Sequence, residues 1–300
     1  MRHRRRNSTD ARHREVVRSG QRTRYSGSVK PTGRVRTVII CHADDPLNRH
    51  SLARWLASFS DYRGAVVIAE RGRRGRQRIR RELQRVGLLR FFDVLAFRLY
   101  YRIFLAAADR KWEQERMDEL SRRYPPIQPP PPECLTENPN SAEAQRFIQL
   151  AQPDIAIARC KTLLAERIFT IPRIGTFVMH PGICPEYRNS HGCFWALSRR
   201  DLDRVGMTLL RIDKGVDTGP VYGYFRCEYD ERRESHIVIQ NRTVFDNLDA
   251  IRDTLLRIGA ELAQPVDTGG RESRSWGQPW LTAYLEWKRA ARRLEGTTRT

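Results

Sequence analysis

Three hundred residues with 40% hydrophobic content can bury one substantial core, which excludes a wholly disordered chain. A formal net charge of +20 is compatible with nucleic acid, anionic lipid or a polyanionic substrate, and does not choose among them. No apolar run approaches the roughly 18 to 20 residues that span a bilayer, and six cysteines without framework spacing or a secretory signal are expected to stay reduced in a cytoplasmic chain.

Residues 1–34 place Arg4, Arg5, Arg6, Arg12, Arg14, Arg18, Arg22 and Arg24 among Ser, Thr and Gly, and are expected to be a disordered basic tail. Structure is expected to begin with the β-branched run Val35–Cys41, ended by the turn-forming His42–Pro46. Leu52, Trp55, Leu56 and Phe59 then recur at helical spacing, and Gly64–Ala69 reads as a second buried strand. Strand, helix, strand is the parallel unit of an α/β sheet. The basic stretch Arg71–Arg90 and the aromatic-rich Phe91–Ala108 both read as helices, and Tyr124–Pro132 as an extended linker fixed by its prolines. A short strand is expected around Cys134, a helix over Ser141–Ala151, and further strands at Pro153–Ala158 and Gly175–Met179. Beyond Tyr229 the periodicity predicts one long amphipathic helix, Val244–Ala263, then a basic C-terminal piece whose Trp276, Trp280, Tyr284 and Trp287 are expected to pack. The expected organisation is therefore a tail over 1–34, an α/β domain over 35–229, and a C-terminal helical segment with a basic tail over 230–300.

The chemistry concentrates in one block. The strand Gly175–Met179 ends in His180-Pro181-Gly182, which puts an imidazole at the carboxyl edge of a parallel sheet, where open α/β sheets bind ligands. Asp217 follows the apolar run Met207–Ile212 between Gly215 and Gly219, in a setting that suits a carboxylate held in a tight loop. Brought together, a His and an Asp can pass a proton near neutral pH.

The strand Pro153–Ala158, the loop Ile174–Arg188 and the run Val216-Asp217-Thr218-Gly219-Pro220, in that order, resemble the folate-dependent formyltransferases. That family has a pattern Asn-x-His-Pro followed by Asp-x-Gly-Pro, and includes glycinamide ribonucleotide, methionyl-tRNA and sugar amine formyltransferases and formyltetrahydrofolate hydrolase. The resemblance implies a Rossmann-like α/β fold, a mostly parallel sheet with helices on both faces. It implies transfer of a formyl group from 10-formyltetrahydrofolate to an amine, taken here to belong to a small-molecule acceptor because residues 230–300 do not read as the β-rich tRNA-binding domain of the methionyl-tRNA branch. In that reading His180 polarises the formyl oxygen and stabilises the tetrahedral intermediate, while Asp217 maintains the charge state of His180 and helps deprotonate the amine. Arg159, Lys161, Leu163 and Asp213 would contribute to the folate pocket.

One position departs from the pattern: the family Asn two residues before the His is Val178, which has no donor. Asn189 and His191, in the same loop region, either replace that donor or simply shape the turn. His180, Cys184, His191 and Cys193 have ligand chemistry, but without a paired Cys-x-x-Cys no metal is expected. Two further readings stay open: hydrolysis of formyltetrahydrofolate, with water replacing the amine, and an inactive relative that holds nucleic acid on its basic surface.

Overall fold

The computed structural model describes residues 33–69 and 87–293. Five parallel strands form most of a seven-stranded sheet: β1 (Arg36–His42), β2 (Asp61–Ile68), β3 (Glu133–Thr136), β4 (Ile155–Arg159) and β5 (Gly175–His180). A short two-residue strand, β6 (Arg188–Asn189), pairs with another, β9 (Ser275–Trp276), outside this sheet. Two antiparallel strands, β7 (Met207–Arg211) and β8 (Val221–Phe225), complete the order β3-β2-β1-β4-β5-β7-β8. The β-branched and alanine runs on β1, β2 and β4 suit this placement, because interior parallel strands are covered on both faces and tolerate no polar alternation.

Helices cover the two faces. On one side α1 (Leu52–Phe59) contributes Trp55 and Leu56 to a core with Ile39, Ile157, Phe177 and Met179. A long segment made of α2 (Leu88–Tyr100), a wide turn at Tyr101–Leu105 and α3 (Ala106–Arg123) adds Leu120 to the same core. On the other side α4 (Ala142–Ala151) and α5 (Glu166–Phe169) bury Ala144, Ile148 and Ile168 against Ile40, Val66 and Ile68. The expected Rossmann-like sheet with helices on both faces is therefore the observed architecture.

The remaining helices are α6 (Gly192–Ser198), α7 (His236–Phe245), α8 (Leu248–Gly259) and α9 (Leu281–Arg293). The single helix expected over Val244–Ala263 is thus two. Ser235 starts α7 earlier by accepting from the amides of Ile237 and Val238, and Asn247 ends it by donating to the Thr243 carbonyl at 3.0 Å. Phe91–Ala108 is helical as expected, but it contains the wide turn at Tyr101–Leu105 and the helical segment runs on to Arg123. Tyr124–Pro132 is neither helix nor strand, whereas the second strand begins at Asp61 rather than Gly64. Residues 1–32 of the tail expected over 1–34, and residues 71–86 of the basic helix expected over Arg71–Arg90, lie outside the described residues.

Tyr187, Trp195, Trp276, Tyr284 and Trp287 form an aromatic cluster with Phe97 and Phe194. The C-terminal tryptophans expected to pack do so: Trp287 is fully buried in it and its indole N–H reaches Glu231.

Candidate functional site

The site is built where β4 and β5 end. His180 closes β5 and is 4% exposed. Its Nε2 lies 2.8 Å from the Tyr187 carbonyl oxygen, which can only accept, so Nε2 carries the hydrogen. The other ring nitrogen, Nδ1, faces Asp217 Oδ2 at 3.4 Å. The same carboxylate oxygen accepts the Asn189 amide N–H at 2.8 Å.

Tight backbone geometry holds these groups. Asp217 and Asn189 both adopt left-handed conformations, with φ of 52° and 74°, which Asp and Asn tolerate better than most residues. Arg188 ties the two loops together, donating to the Val216 carbonyl at 2.8 Å. Thr208, buried in β7, donates to the Gly182 carbonyl and accepts from the Cys184 amide, pinning the turn that follows His180. Gly182 has no room for a side chain, because a Cβ there would lie 2.4 Å from the Tyr187 carbonyl oxygen and 2.8 Å from His180 Nε2.

In front of this pair lies a cavity of about 280 Å³. Ala158, Leu164, Phe169 and Val178 supply apolar wall, and Asp213 to Asp217 form one rim. Asp217 and Val178 therefore look into the cavity, whereas His180 sits behind Asp217 and is not part of the lining.

The residues singled out in the sequence divide accordingly. Asp217, Leu163 and Asp213 line the cavity, Leu163 being 68% exposed. Asp213 also braces the loop by accepting from the Gly215 amide and the Thr218 hydroxyl. Arg159 is a strut instead: its Nε donates to Asn48 and its Nη1 to the Met179 carbonyl, joining the loop after β1 to β5, and burial pushes its guanidinium below the ordinary arginine range. The Lys161 amide donates to His42 Nε2 at 3.0 Å, and its residue is not part of the cavity lining. Asn189 gives its side-chain amide to the Trp276 carbonyl, so only its backbone serves Asp217. His191 precedes α6 with φ of 56°, packs against the His236 ring with centroids 5.5 Å apart, and leaves its buried Nδ1 unpartnered. Burial lowers the His191 pKa to about 4, with Lys161 adding to the effect.

Sequence reasoning missed Tyr187, Thr208 and Trp276, which act here through a carbonyl, a hydroxyl and a carbonyl. Only Gly182 and Gly192 carried a signal, since a Cβ on Gly192 would lie 2.5 Å from the Gly182 Cα. Among the described residues no group of three or more His, Cys, Asp or Glu converges as a metal site.

A family model described as formyl transferase matches residues 110–255. The methionyl-tRNA formyltransferase of Pelobacter propionicus is 25% identical over 178 residues, covering 54% of this chain and 51% of the relative. That of Thermotoga maritima is 32% identical over 86 residues, covering 28% of this chain and 27% of the relative. The match thus spans about half the length of these curated relatives, or less. Among solved structures, a 4-N formyltransferase from Francisella tularensis superposes with a TM-score of 0.48 at 9% identity, over 86% of this chain and 87% of that one. A phosphoribosylglycinamide formyltransferase from Anaplasma phagocytophilum gives 0.47 at 12% identity, over 82% of this chain and all of that one (100%).

Proposed function

We propose, from the match of residues 110–255 to the formyl transferase family model, that the chain transfers a formyl group from 10-formyltetrahydrofolate to an amine of a small-molecule acceptor. The observation that carries this reading is a carboxylate on a cavity wall, Asp217, backed by a ring nitrogen at 3.4 Å whose partner nitrogen is already fixed by a carbonyl. Such a pair takes a proton from a nucleophile on one side and holds it on the other.

The cavity suits the flat end of a folate. At about 280 Å³ it lies near the lower bound of typical ligand sites, roughly 300 to 1,000 Å³, so it fits the ring portion and leaves the rest of the molecule outside. Its apolar walls suit ring faces, and the backbone of residues 213–217 offers polar groups to ring edges. Bound there, the folate supplies the formyl carbon and its N10 is the leaving group. Asp217 receives the proton of the attacking amine, and His180 Nδ1 is the adjoining atom that shares it. The same proton is passed on to N10 as the C–N10 bond breaks, so that tetrahydrofolate leaves neutral and the new C–N bond remains on the acceptor; Tyr187 keeps the ring in one tautomer. His180 is thus a positioning residue that acts through Asp217. Methionyl-tRNA, named in the curated relatives, presents the same amine chemistry on a macromolecule and is the alternative acceptor.

Val178 favours a second reading, in which folate binds but transfer is slow. It lines the cavity and brings no donor to the formyl oxygen, and losing one such donor costs about 2.7 to 4 kcal/mol of barrier.

Single-turnover release of tetrahydrofolate, with small amines, methionyl-tRNA or neither, separates these readings. Transfer predicts release that depends on the acceptor, hydrolysis predicts release without one, and the second reading predicts saturable binding with little release. In the transfer case Asp217→Asn and His180→Ala each lower the rate by about a hundredfold or more, leave folate affinity nearly unchanged, and combine to less than the product of their effects. Full activity in both variants overturns the proposed roles.

A further inference from the structure

The α2 helix exposes an apolar stripe that the catalytic reading does not use. Leu88, Leu89, Phe92, Leu95 and Leu99 are 59%, 89%, 59%, 38% and 61% exposed. At 100° per residue these positions fall within an arc about 120° wide, and Ile103, 60% exposed, continues the line past the helix end. The opposite side of α2 already has its core contacts: Val94 and Phe97 are 1% and 5% exposed, and Phe97 joins the aromatic cluster of α6 and α9. Among the described residues, the stripe is surplus to folding. Single exposed leucines are ordinary on soluble proteins, but a contiguous row of this kind is not.

One border is basic, while on the other Asp93 is engaged with Arg90 and Thr282. Arg98 and Arg102, both exposed, flank one side of the arc. At the C-terminal end Tyr100 packs on Phe104, itself 64% exposed, with ring centroids 4.9 Å apart. Tyr100 also lines a cavity of about 320 Å³ whose other lining includes Arg232, Arg233, Lys288, Arg289 and Arg292 and no acidic residue. An exposed apolar row beside an acid-free basic cavity matches the two layers of an anionic lipid leaflet, acyl chains for the first and phosphate headgroups for the second. A second copy of the chain fits less well, because two-fold pairing of the stripes would bring Arg98 and Arg102 near their own counterparts on molecules that each carry a net charge of +20.

The geometry points to α2 as a membrane-docking helix that seats its leucine and phenylalanine stripe on an anionic bilayer surface while the adjoining basic cavity takes a lipid phosphate. Docking of this kind lies along the interface and needs no spanning segment; none of the described helices is long and apolar enough to cross a membrane.

The test is co-sedimentation of the full chain with vesicles of phosphatidylcholine alone and of phosphatidylcholine mixed with phosphatidylglycerol, at low and high salt. The chain is expected to partition onto the phosphatidylglycerol vesicles and to keep part of that binding at high salt, where purely electrostatic adsorption is screened. The triple variant Leu89→Ser, Phe92→Ser, Leu99→Ser is expected to lose about tenfold or more in partition coefficient and all of the salt-resistant part. Arg289→Gln with Arg292→Gln should weaken only the salt-sensitive part. Leu89→Ser alone serves if the triple variant does not fold, as judged by near-ultraviolet circular dichroism. A stripe variant that binds as wild type does would overturn the proposal, because charge alone would then explain adsorption. So would a dimer in sedimentation velocity that the stripe substitutions abolish in a chain that ignores vesicles.

Discussion

The His180 ring is held between the Asp217 carboxylate, which the sequence motif records, and the Tyr187 carbonyl, a backbone atom that no side-chain motif records. A Cβ on Gly182 would intrude between the Tyr187 carbonyl and Nε2. Gly182→Ala is therefore expected to break the bond that sets the tautomer, lowering transfer at least about tenfold while the fold stays intact. Nitrogen-15 shifts of the histidine ring report the change directly, and an unaltered Nε2–H signal with unaltered rate would refute it. Asn189→Ala should behave differently, because its side chain serves the Trp276 carbonyl and its backbone serves Asp217. The expected loss there is stability, about 1 kcal/mol, with little effect on the rate. Val178 is the complementary case: Val178→Asn puts an amide on the cavity wall and raises the rate if the missing donor limits it.

At the scale of elements, Trp287 shows what holds the C-terminal helix against the site. It is fully buried, donates to Glu231, and packs on Phe194 of α6 and Tyr284 of α9. Trp287→Ala should cost about 3 to 5 kcal/mol in denaturant unfolding, the range for deleting a buried aromatic, and a loss under 1 kcal/mol would mean that α9 packs only loosely. The strands of the parallel sheet were legible because burial on both faces leaves unbroken β-branched and alanine runs, as in Val38–Cys41 and Ile155–Ala158. His180 and Asp217 were legible for a related reason, since each ends or follows such a run at a glycine-bearing turn. The division at Asp246–Asn247 was not, because Val244, Leu248, Ile251, Leu255 and Ile258 keep helical spacing straight across it. Most of α7 was hidden as well, since the expected helix reached only its last two residues, Val244 and Phe245, and the buried His236 and Thr243 give no apolar period. The struts Arg159 and Lys161 look like ligand contacts in sequence because the loop after β4 serves both purposes, and only the partners Asn48, Met179 and His42 reveal which residues brace it.

For the whole molecule, buried titratable groups set how acid unfolds it. Burial lowers the His191 pKa to about 4, Lys161 and Arg98 adding to this against a hydrogen bond to Gln278, and burial with His191 and Lys288 nearby drives His236 well below the ordinary histidine range. Both rings are neutral when folded, but in the unfolded chain they take up protons below about 6.5, the ordinary histidine value. The unfolded state then binds more protons, so this contribution is complete above pH 6.5 and is lost as pH falls toward 4, by about 1.4 kcal/mol per pH unit for each ring. Asp154 acts lower on the scale. Burial alone would raise its pKa, but hydrogen bonds from Arg36 and Arg173 hold it at about 2, so the stability it contributes is present above about 3.8 and disappears as pH falls toward 2. Acid unfolding should therefore show two limbs in urea titrations. His236→Phe separates them: the ring lies among Phe97, Phe194 and Tyr284 with its Nδ1 unpartnered, so an apolar ring fits and removes one titrating group. The variant is expected to flatten the limb between pH 6.5 and 4 and leave the Asp154 limb unchanged, whereas Asp154→Asn should do the reverse. Self-repulsion of a chain with a net charge of +20 also grows on acidification, but it is nearly the same in wild type and in His236→Phe at a given pH, so an unchanged upper limb in that variant would show that net charge, not the buried rings, controls it.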